Sequence, residues 1–351
     1  MKKKLFAILL ALALLLSGCV TVEVQYVEPE VTVPVEGTLT VHFIDVGQAD
    51  CALLECDGKY MMIDGGNKED GQLVVTYQQD MGVEELEAVV CTHAHEDHVG
   101  GLPSVLAVYP TAAVYAPTKT YSSNIFDDFL YYTDQQGLEV TIPEPGDEFS
   151  LGGASVTVLG PVKSYAETND TSIILRVDHG ETSFLFTGDM EVAAENDMLD
   201  YWGDDTDLFD VDVLKVGHHG SNTSTGYRFL NAVMPPYGVI SVGEGNSYGH
   251  PHDEPMARLK QAGVTIFRTD EMGHIQAVSD GTQVTFTWEN QSAAPEDVEA
   301  GEAITYIGNK NSEKFHAPDC ANLPSEKNRV EFDSYDAAVD AGYTPCGSCL
   351  G

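Results

Sequence analysis

The sequence predicts a layered α/β domain followed by a small metal-held unit. Three observations lead there. Between residues 38 and 289 short β-rich runs alternate with amphipathic segments. Several of those runs end in turns built from Gly with His or Asp. Residues 304–351 carry two closely spaced pairs of His and Cys, the arithmetic of a separate metal-stabilised piece.

In chain order, residues 1–19 come first. Lys2, Lys3 and Lys4 precede an apolar run from Leu5 to Leu16 that closes on Leu16-Ser17-Gly18-Cys19, the pattern of an export signal. That run is shorter than the ~20 residues a bilayer span needs. Its last four residues resemble a bacterial lipobox, which implies cleavage before Cys19 and a lipid on that cysteine. Residues 20–37, rich in Val, Glu and Pro, read as a tether. The expected partner is therefore a membrane, reached through Cys19, and the expected location is the outer face of the cell membrane or the medium beyond it. No protein partner is indicated.

Seventeen basic residues against 56 acidic ones set a formal net charge of −39, and removal of the three signal lysines makes it −42. Such a surface keeps an exported body soluble and lacks the basic stripe of nonspecific nucleic-acid binders. Seven cysteines are too few and too scattered for a disulfide scaffold. Cys51, Cys56 and Cys91 lie in apolar runs and read as small buried hydrophobes.

Strands are predicted at 39–44, 52–56, 60–63, 88–91, 155–159, 172–177, 183–186, 211–216, 239–242 and 284–288, where β-branched and aromatic residues stand between turn formers. The two strands around Asp178-His179-Gly180-Glu181 read as a hairpin. Helices are predicted at 101–107, 124–136, 191–201, 225–232 and 254–262 from their apolar spacing. Residues 290–303 read as a linker between the domain of 38–289 and the unit of 304–351.

The densest chemistry is Thr92-His93-Ala94-His95-Glu96-Asp97-His98-Val99-Gly100-Gly101, directly after the apolar run from Leu86 to Val90. Imidazoles and an ionised carboxylate are ligands for a borderline transition metal, and a strand-to-loop position lets them converge. Asp64, Asp189, His218 with His219, and His250 with His252 each follow another predicted strand. Strand ends on one edge of a layered fold form the usual ligand crevice, so these turns can meet. Asp45, Gln48 and Asp50, after the first strand, are candidates to line the same pocket, or to be hydrogen-bonded turn residues.

Together, His93-Ala94-His95-Glu96-Asp97-His98, Thr187-Gly188-Asp189 and the later histidines resemble the metallo-β-lactamase superfamily. Phe43-Ile44-Asp45-Val46-Gly47-Gln48-Ala49-Asp50, Asn169-Asp170-Thr171-Ser172, Lys215-Val216-Gly217-His218-His219-Gly220-Ser221 and Tyr248-Gly249-His250-Pro251 resemble its ComEC-like branch. The resemblance spans roughly residues 38–289 and implies an αββα four-layer sandwich with two divalent ions on one edge. It places His93 and His95 on one ion, Asp97 and His98 on the second, and Asp189 between them, with Asp64 orienting the loop. Asn169-Asp170 stands where that superfamily has a third histidine for the first ion, and His179 falls at the hairpin turn. A more oxygen-rich site shifts preference from zinc toward manganese. His219 is favoured as the last ligand of the second ion, with His218 and His250 as alternatives.

Two cations about 3.5–4 Å apart acidify a bridging water and stabilise charge at the attacked centre, so no nucleophilic Ser or Cys is required. Asp97 is catalytic as a ligand, and His250 or His252 is a candidate to donate a proton or bind a phosphate oxygen. The leading expectation is a metal-dependent phosphodiesterase, a nuclease on extracellular DNA. The alternatives are a hydrolase of small esters, lactones or signalling phosphodiesters, and a binding lipoprotein whose metals only hold a surface together.

In the last unit, His316 with Cys320 and Cys346 with Cys349 supply four ligands for one tetrahedral structural zinc. So short a unit buries little core, and a metal explains how it folds. With Tyr343-Thr344-Pro345-Cys346-Gly347-Ser348-Cys349 the pattern resembles the Ada-type zinc-binding module, His316 replacing its first cysteine. A Cys346–Cys349 or Cys320–Cys346 disulfide is the competing reading. Tyr306 and Phe315 are expected to serve in the core, with Lys314 a further contact candidate.

Overall fold

The computed structural model describes residues 37–203, 206–296, 305–318, 320–333, 335–347 and 349–350. The expected signal, the lipidation site Cys19 and the tether lie outside the described residues. Among the described residues no helix is long and apolar enough to cross a membrane.

The first half runs β1 (Leu39–Phe43), β2 (Cys51–Cys56), β3 (Lys59–Gly65), α1 (Gly71–Asp80), β4 (Leu86–Val90), α2 (Glu96–Val99), α3 (Leu102–Val108), β5 (Thr111–Tyr115), α4 (Asn124–Gln135) and β6 (Val140–Thr141). The second half runs β7 (Glu148–Leu151), β8 (Ala154–Gly160), β9 (Ile174–His179), β10 (Thr182–Phe186), α5 (Val192–Trp202), β11 (Val213–Lys215), α6 (Tyr227–Val233), β12 (Tyr237–Ile240), α7 (Asp253–Gln261) and β13 (Thr265–Arg268). After α8 (Thr269–Met272), β14 (Ile275–Ser279) and β15 (Val284–Trp288) return to the first sheet.

Two sheets result, ordered β15-β14-β1-β2-β3-β4-β5-β6 and β13-β12-β11-β10-β9-β8-β7. Alternate residues of each strand face inward, so Val41, Phe43, Leu54 and Ile63 of one sheet meet Val156, Val177, Phe184 and Phe186 of the other in one buried cluster. The opposite faces are covered by helices: α1, α3 and α4 over Leu53, Met62 and Val89, and α5, α6 and α7 over Leu185, Leu214 and Ile240. This is the four-layer αββα sandwich. Cys51, Cys56 and Cys91 are buried in these cores, as their apolar neighbours predict.

The segment 290–296 packs onto the sandwich, with Ala293 against the central core and Glu296 bridged to Ile266. At the end, β16 (Tyr306–Asn309), β17 (Lys314–His316), β18 (Arg329–Phe332), α9 (Tyr335–Asp340) and β19 (Thr344–Pro345) form a sheet ordered β18-β16-β17-β19. Its small core holds Tyr306 and Phe315, both fully buried, and Tyr227 from α6 belongs to the same cluster. Tyr306 accepts a 3.0 Å hydrogen bond from Asn231, and the Arg228 guanidinium lies 4.7 Å from the Tyr335 ring centre. The terminal unit is therefore docked on α6.

Candidate metal centre

β3 and β4 are parallel, as are β10, β11 and β12, so their C-terminal turns gather on one edge. Close backbone approach brings the first two together. A β-carbon on Gly101 would run into the Gly65 carbonyl oxygen, and one on Gly65 would stand 2.7 Å from the Leu102 nitrogen. Glycine at both positions lets the turn carrying His98 sit directly over the end of β3. There Asp64 Oδ2 meets His98 Nδ1 at 2.8 Å, and Asp64 accepts from the Thr92 nitrogen and hydroxyl at 2.7 and 2.6 Å. Asp64 thus orients the histidine loop from beneath.

Asp97, His98, Asp189 and His219 each offer one ligand atom, all within 4.8 Å of one another. His98 Nε2 stands 3.2 Å and His219 Nε2 3.7 Å from Asp189 Oδ1, and His219 Nε2 lies 3.5 Å from Asp97 Oδ2. Two atoms each about 2.1 Å from a shared ion stand ~3.0–3.4 Å apart, and these separations come within a few tenths of an ångström of that spacing. His98 Nε2, His219 Nε2 and Asp189 Oδ1 are buried with no hydrogen-bond partner among the described residues. Orphaned polar atoms are costly singly, and three that converge fit a divalent cation.

On the other side of the same carboxylate, Oδ2 faces His93 Nε2 at 3.9 Å and His218 Nε2 at 3.5 Å, and His93 Nε2 stands 3.1 Å from His95 Nδ1. Asp189 therefore divides its two oxygens between two sets of imidazoles. Its position is fixed by its own N–H, which donates to Ser172 Oγ at 3.1 Å.

The charges follow from this crowding. Burial disfavours imidazolium, yet Asp189 and Asp64 hold His98 well above the usual histidine range, and Asp189 and Asp50 push His219 up to about 10. Burial and the neighbouring His98 hold His93 well below it. Burial would raise Asp97, but His98 and His219 bring it down to about 2. The carboxylates of this centre demand positive charge, which protons or metal cations can supply.

Behind His219, Lys215 Nζ lies 2.9 Å from Asp50 Oδ1, and that oxygen lies 3.2 Å from His219 Nδ1. Burial would raise the Asp50 carboxyl, but Lys215 and then His219 outweigh it and hold it well below the carboxylate range. Replacing Lys215 by Met leaves a buried carboxylate without its cation. The expected loss is about 3–5 kcal/mol of folding stability, read from urea denaturation. The double variant Lys215→Met/Asp50→Asn is expected to recover most of it; a single variant as stable as wild type removes the argument.

In the terminal unit, His316, Cys320, Cys346 and Cys349 place their ligand atoms within 4.8 Å of one another, and His316 Nδ1 lies 3.4 Å from Cys320 Sγ. No disulfide joins the described cysteines. Three thiols and an imidazole at such distances fit one tetrahedral zinc.

The family model for the metallo-beta-lactamase superfamily matches residues 44–244. The chain belongs to the metallo-beta-lactamase superfamily. Among curated relatives, it is 27% identical to ComE operon protein 3 of Bacillus subtilis over 67% of this chain and 32% of that protein. To competence protein ComA of Neisseria gonorrhoeae it is 29% identical over 75% of this chain and 34% of that one. It thus spans about a third of the length of these relatives. Among solved structures, the metallo-beta-lactamase fold protein YhfI from Bacillus subtilis aligns over 72% of this chain and all of its own, with a TM-score of 0.45 and 13% identity.

Other expected positions fall differently around this superfamily site. Asp50 lies against His219, and Asp45 Oδ1 closes its own turn by accepting from the Gly47 nitrogen. Gln48 does reach the rim, its Nε2 3.3 Å from His250 Nδ1. Asn169 donates to Glu191 Oε1 at 3.3 Å and Asp170 accepts from the Glu191 nitrogen at 3.1 Å, so this pair grips Glu191. His179 ends β9 beside Ser279 Oγ, at the hairpin end remote from Asp189. His250 packs on the rings of His218 and His219, and His252 Nδ1 accepts from the Asn222 nitrogen, both half-buried at the mouth. Sequence reading missed the supporting roles of Thr92, Ser172, Glu191, Lys215 and Thr223. Each lies inside or next to a motif, but only their contacts reveal them.

Proposed function

We propose that this superfamily member is a two-metal phosphodiesterase, with DNA outside the cell as its leading substrate and Cys19 as its lipid anchor. The observation that supports this most is the division of Asp189 between two sets of ligands. His93 and His95 with Asp189 would hold one ion, and Asp97, His98 and His219 with Asp189 the other. Two divalent ions, zinc or manganese, would acidify water and offset charge on an attacked phosphorus. Asp64 and Asp50 keep the imidazoles aimed at the centre from below. His250, half-buried at the mouth and held near a pKa of about 4 by burial and by His218, is neutral at neutral pH. It would therefore receive a hydrogen bond or lend one from its N–H without adding charge to the rim. His252, turned by Asn222, lines the same mouth.

The similarity to competence protein ComA supports a nucleic-acid substrate. The strongly acidic surface favours the second reading, a hydrolase of small esters, lactones or signalling phosphodiesters, because polyanions approach it poorly. The test is hydrolysis of single- and double-stranded DNA, a chromogenic phosphodiester and a lactone by the manganese- or zinc-loaded chain, beside Asp97→Ala. DNA cleavage that Asp97→Ala lowers by about 10³-fold or more is expected, several kcal/mol being what such ions contribute. Lactone turnover without phosphodiester cleavage would move the assignment to the second reading, and equal activity in both proteins would remove the two-ion mechanism.

A further inference from the structure

We propose that His218 supplies the third protein nitrogen of the first metal position, replacing from another strand end the histidine displaced by Asn169-Asp170. The inference rests on the two-ion reading above and assigns one ligand within it. His218 Nε2 stands 3.5 Å from Asp189 Oδ2, the oxygen that His93 also faces, whereas His219 turns to Oδ1. The two adjacent imidazoles thus go to opposite sides of one carboxylate.

The backbone is built for that split. His218 (φ 49°, ψ 46°) and His219 (φ 52°, ψ 25°) are both left-handed, a conformation costing a non-glycine residue roughly 1–2 kcal/mol. Strain of this kind marks a functional demand when the surroundings hold it in place. Here they do. His218 Nδ1 lies 3.2 Å from Thr223 Oγ1 and 3.5 Å from Glu191 Oε1, and Thr223 Oγ1 donates to the same Glu191 oxygen at 3.0 Å. A proton on Nδ1 shared with these oxygens leaves the Nε2 lone pair free toward Asp189, the arrangement that orients metal-binding histidines.

Glu191 is itself held by the displacing residues: Asn169 Nδ2 donates to its carboxylate, and its backbone N–H donates to Asp170 Oδ1. Loss of the expected histidine and gain of His218 are in this way parts of one structure. His250 instead spends Nδ1 on Gln48 and packs outside His218, with ring centres 5.6 Å apart.

The test is metal uptake by the full chain, with manganese counted by mass spectrometry after desalting and its stepwise affinities titrated by the resonance of free manganese. His218→Asn, which tolerates the left-handed region, and His218→Gly, which relieves it, are expected to lose one manganese equivalent or to bind the weaker ion at least ~100-fold less tightly. The tighter ion stays. Glu191→Gln/Thr223→Val is expected to weaken the same ion by about 10–100-fold, and His250→Ala to leave both ions as in wild type. Thermal melts confirm that each variant is folded. Wild-type stoichiometry and affinities in both His218 variants, or loss of both ions together, would overturn the assignment. A wild-type chain that takes up only one manganese would overturn the two-ion reading itself, a failure visible before any substitution is made.

Discussion

Asp189→Ala is expected to empty the hydrolase centre of divalent ions and to lower phosphodiester cleavage by about 10³-fold or more. Both oxygens of this one side chain are engaged, Oδ1 toward His98 and His219, Oδ2 toward His93 and His218. Without it four imidazoles face one another with no anion between them, and either cation would lose a ligand and the charge that attracts it. Asp189→Asn preserves the shape and the N–H bond to Ser172, so it separates the effect of charge from that of folding. Metal content and kcat/KM measured on the same samples decide the matter. If Asp189→Asn kept two ions and wild-type turnover, the carboxylate would not be what joins the two positions.

If His316, Cys320, Cys346 and Cys349 hold a structural zinc, its removal is expected to unfold the terminal unit and leave the sandwich standing. Structural zinc contributes roughly 10–16 kcal/mol of apparent binding free energy in small domains, far more than so small an aromatic core can replace. The core it supports consists of little beyond Tyr306, Phe315, Ala317, Ala338 and Leu350 with flanking rings. Chelation, or Cys320→Ser with Cys346→Ser, should bring amide exchange in β16, β17 and β18 close to the unprotected rate while β10 and β11 remain protected. Tyr227, whose ring joins that aromatic cluster from α6, should become more exposed at the same time. Unchanged exchange after complete stripping would exclude a structural metal, and a mass 2 Da below the reduced chain with no bound zinc would favour a disulfide.

Much of the sandwich is legible in the sequence because its core strands are runs of β-branched residues bounded by Gly, Asp and Asn. The hairpin of β9 and β10 and helices α4, α5 and α7 fall within a residue or two of the predicted spans. Other elements were silent. α1 begins at Gly71 and carries a weak apolar stripe, β5 buries only Val114 fully, and β14 is a short run in which Gln276 and Ser279 interrupt Ile, Ala and Val. Their places are set by neighbours: β14 pairs along the whole of β1, a contact between residues more than 230 positions apart.

Residue identity and local spacing determined which chemistry this protein can hold: imidazoles and carboxylates at strand ends, and a His-Cys/Cys-Cys quartet in its last unit. Their partnership was decided by the tertiary structure alone. No spacing rule could place His219 on Asp189 Oδ1 and His218 on Oδ2, or Asp50 beneath the centre with Lys215. Those assignments depend on two sheets packing face to face, on Gly65 and Gly101 admitting close backbone contact, and on a left-handed turn that fans adjacent side chains apart. Ligands are short-range chemistry written in the chain, whereas their convergence is a consequence of burying two apolar sheet faces against each other.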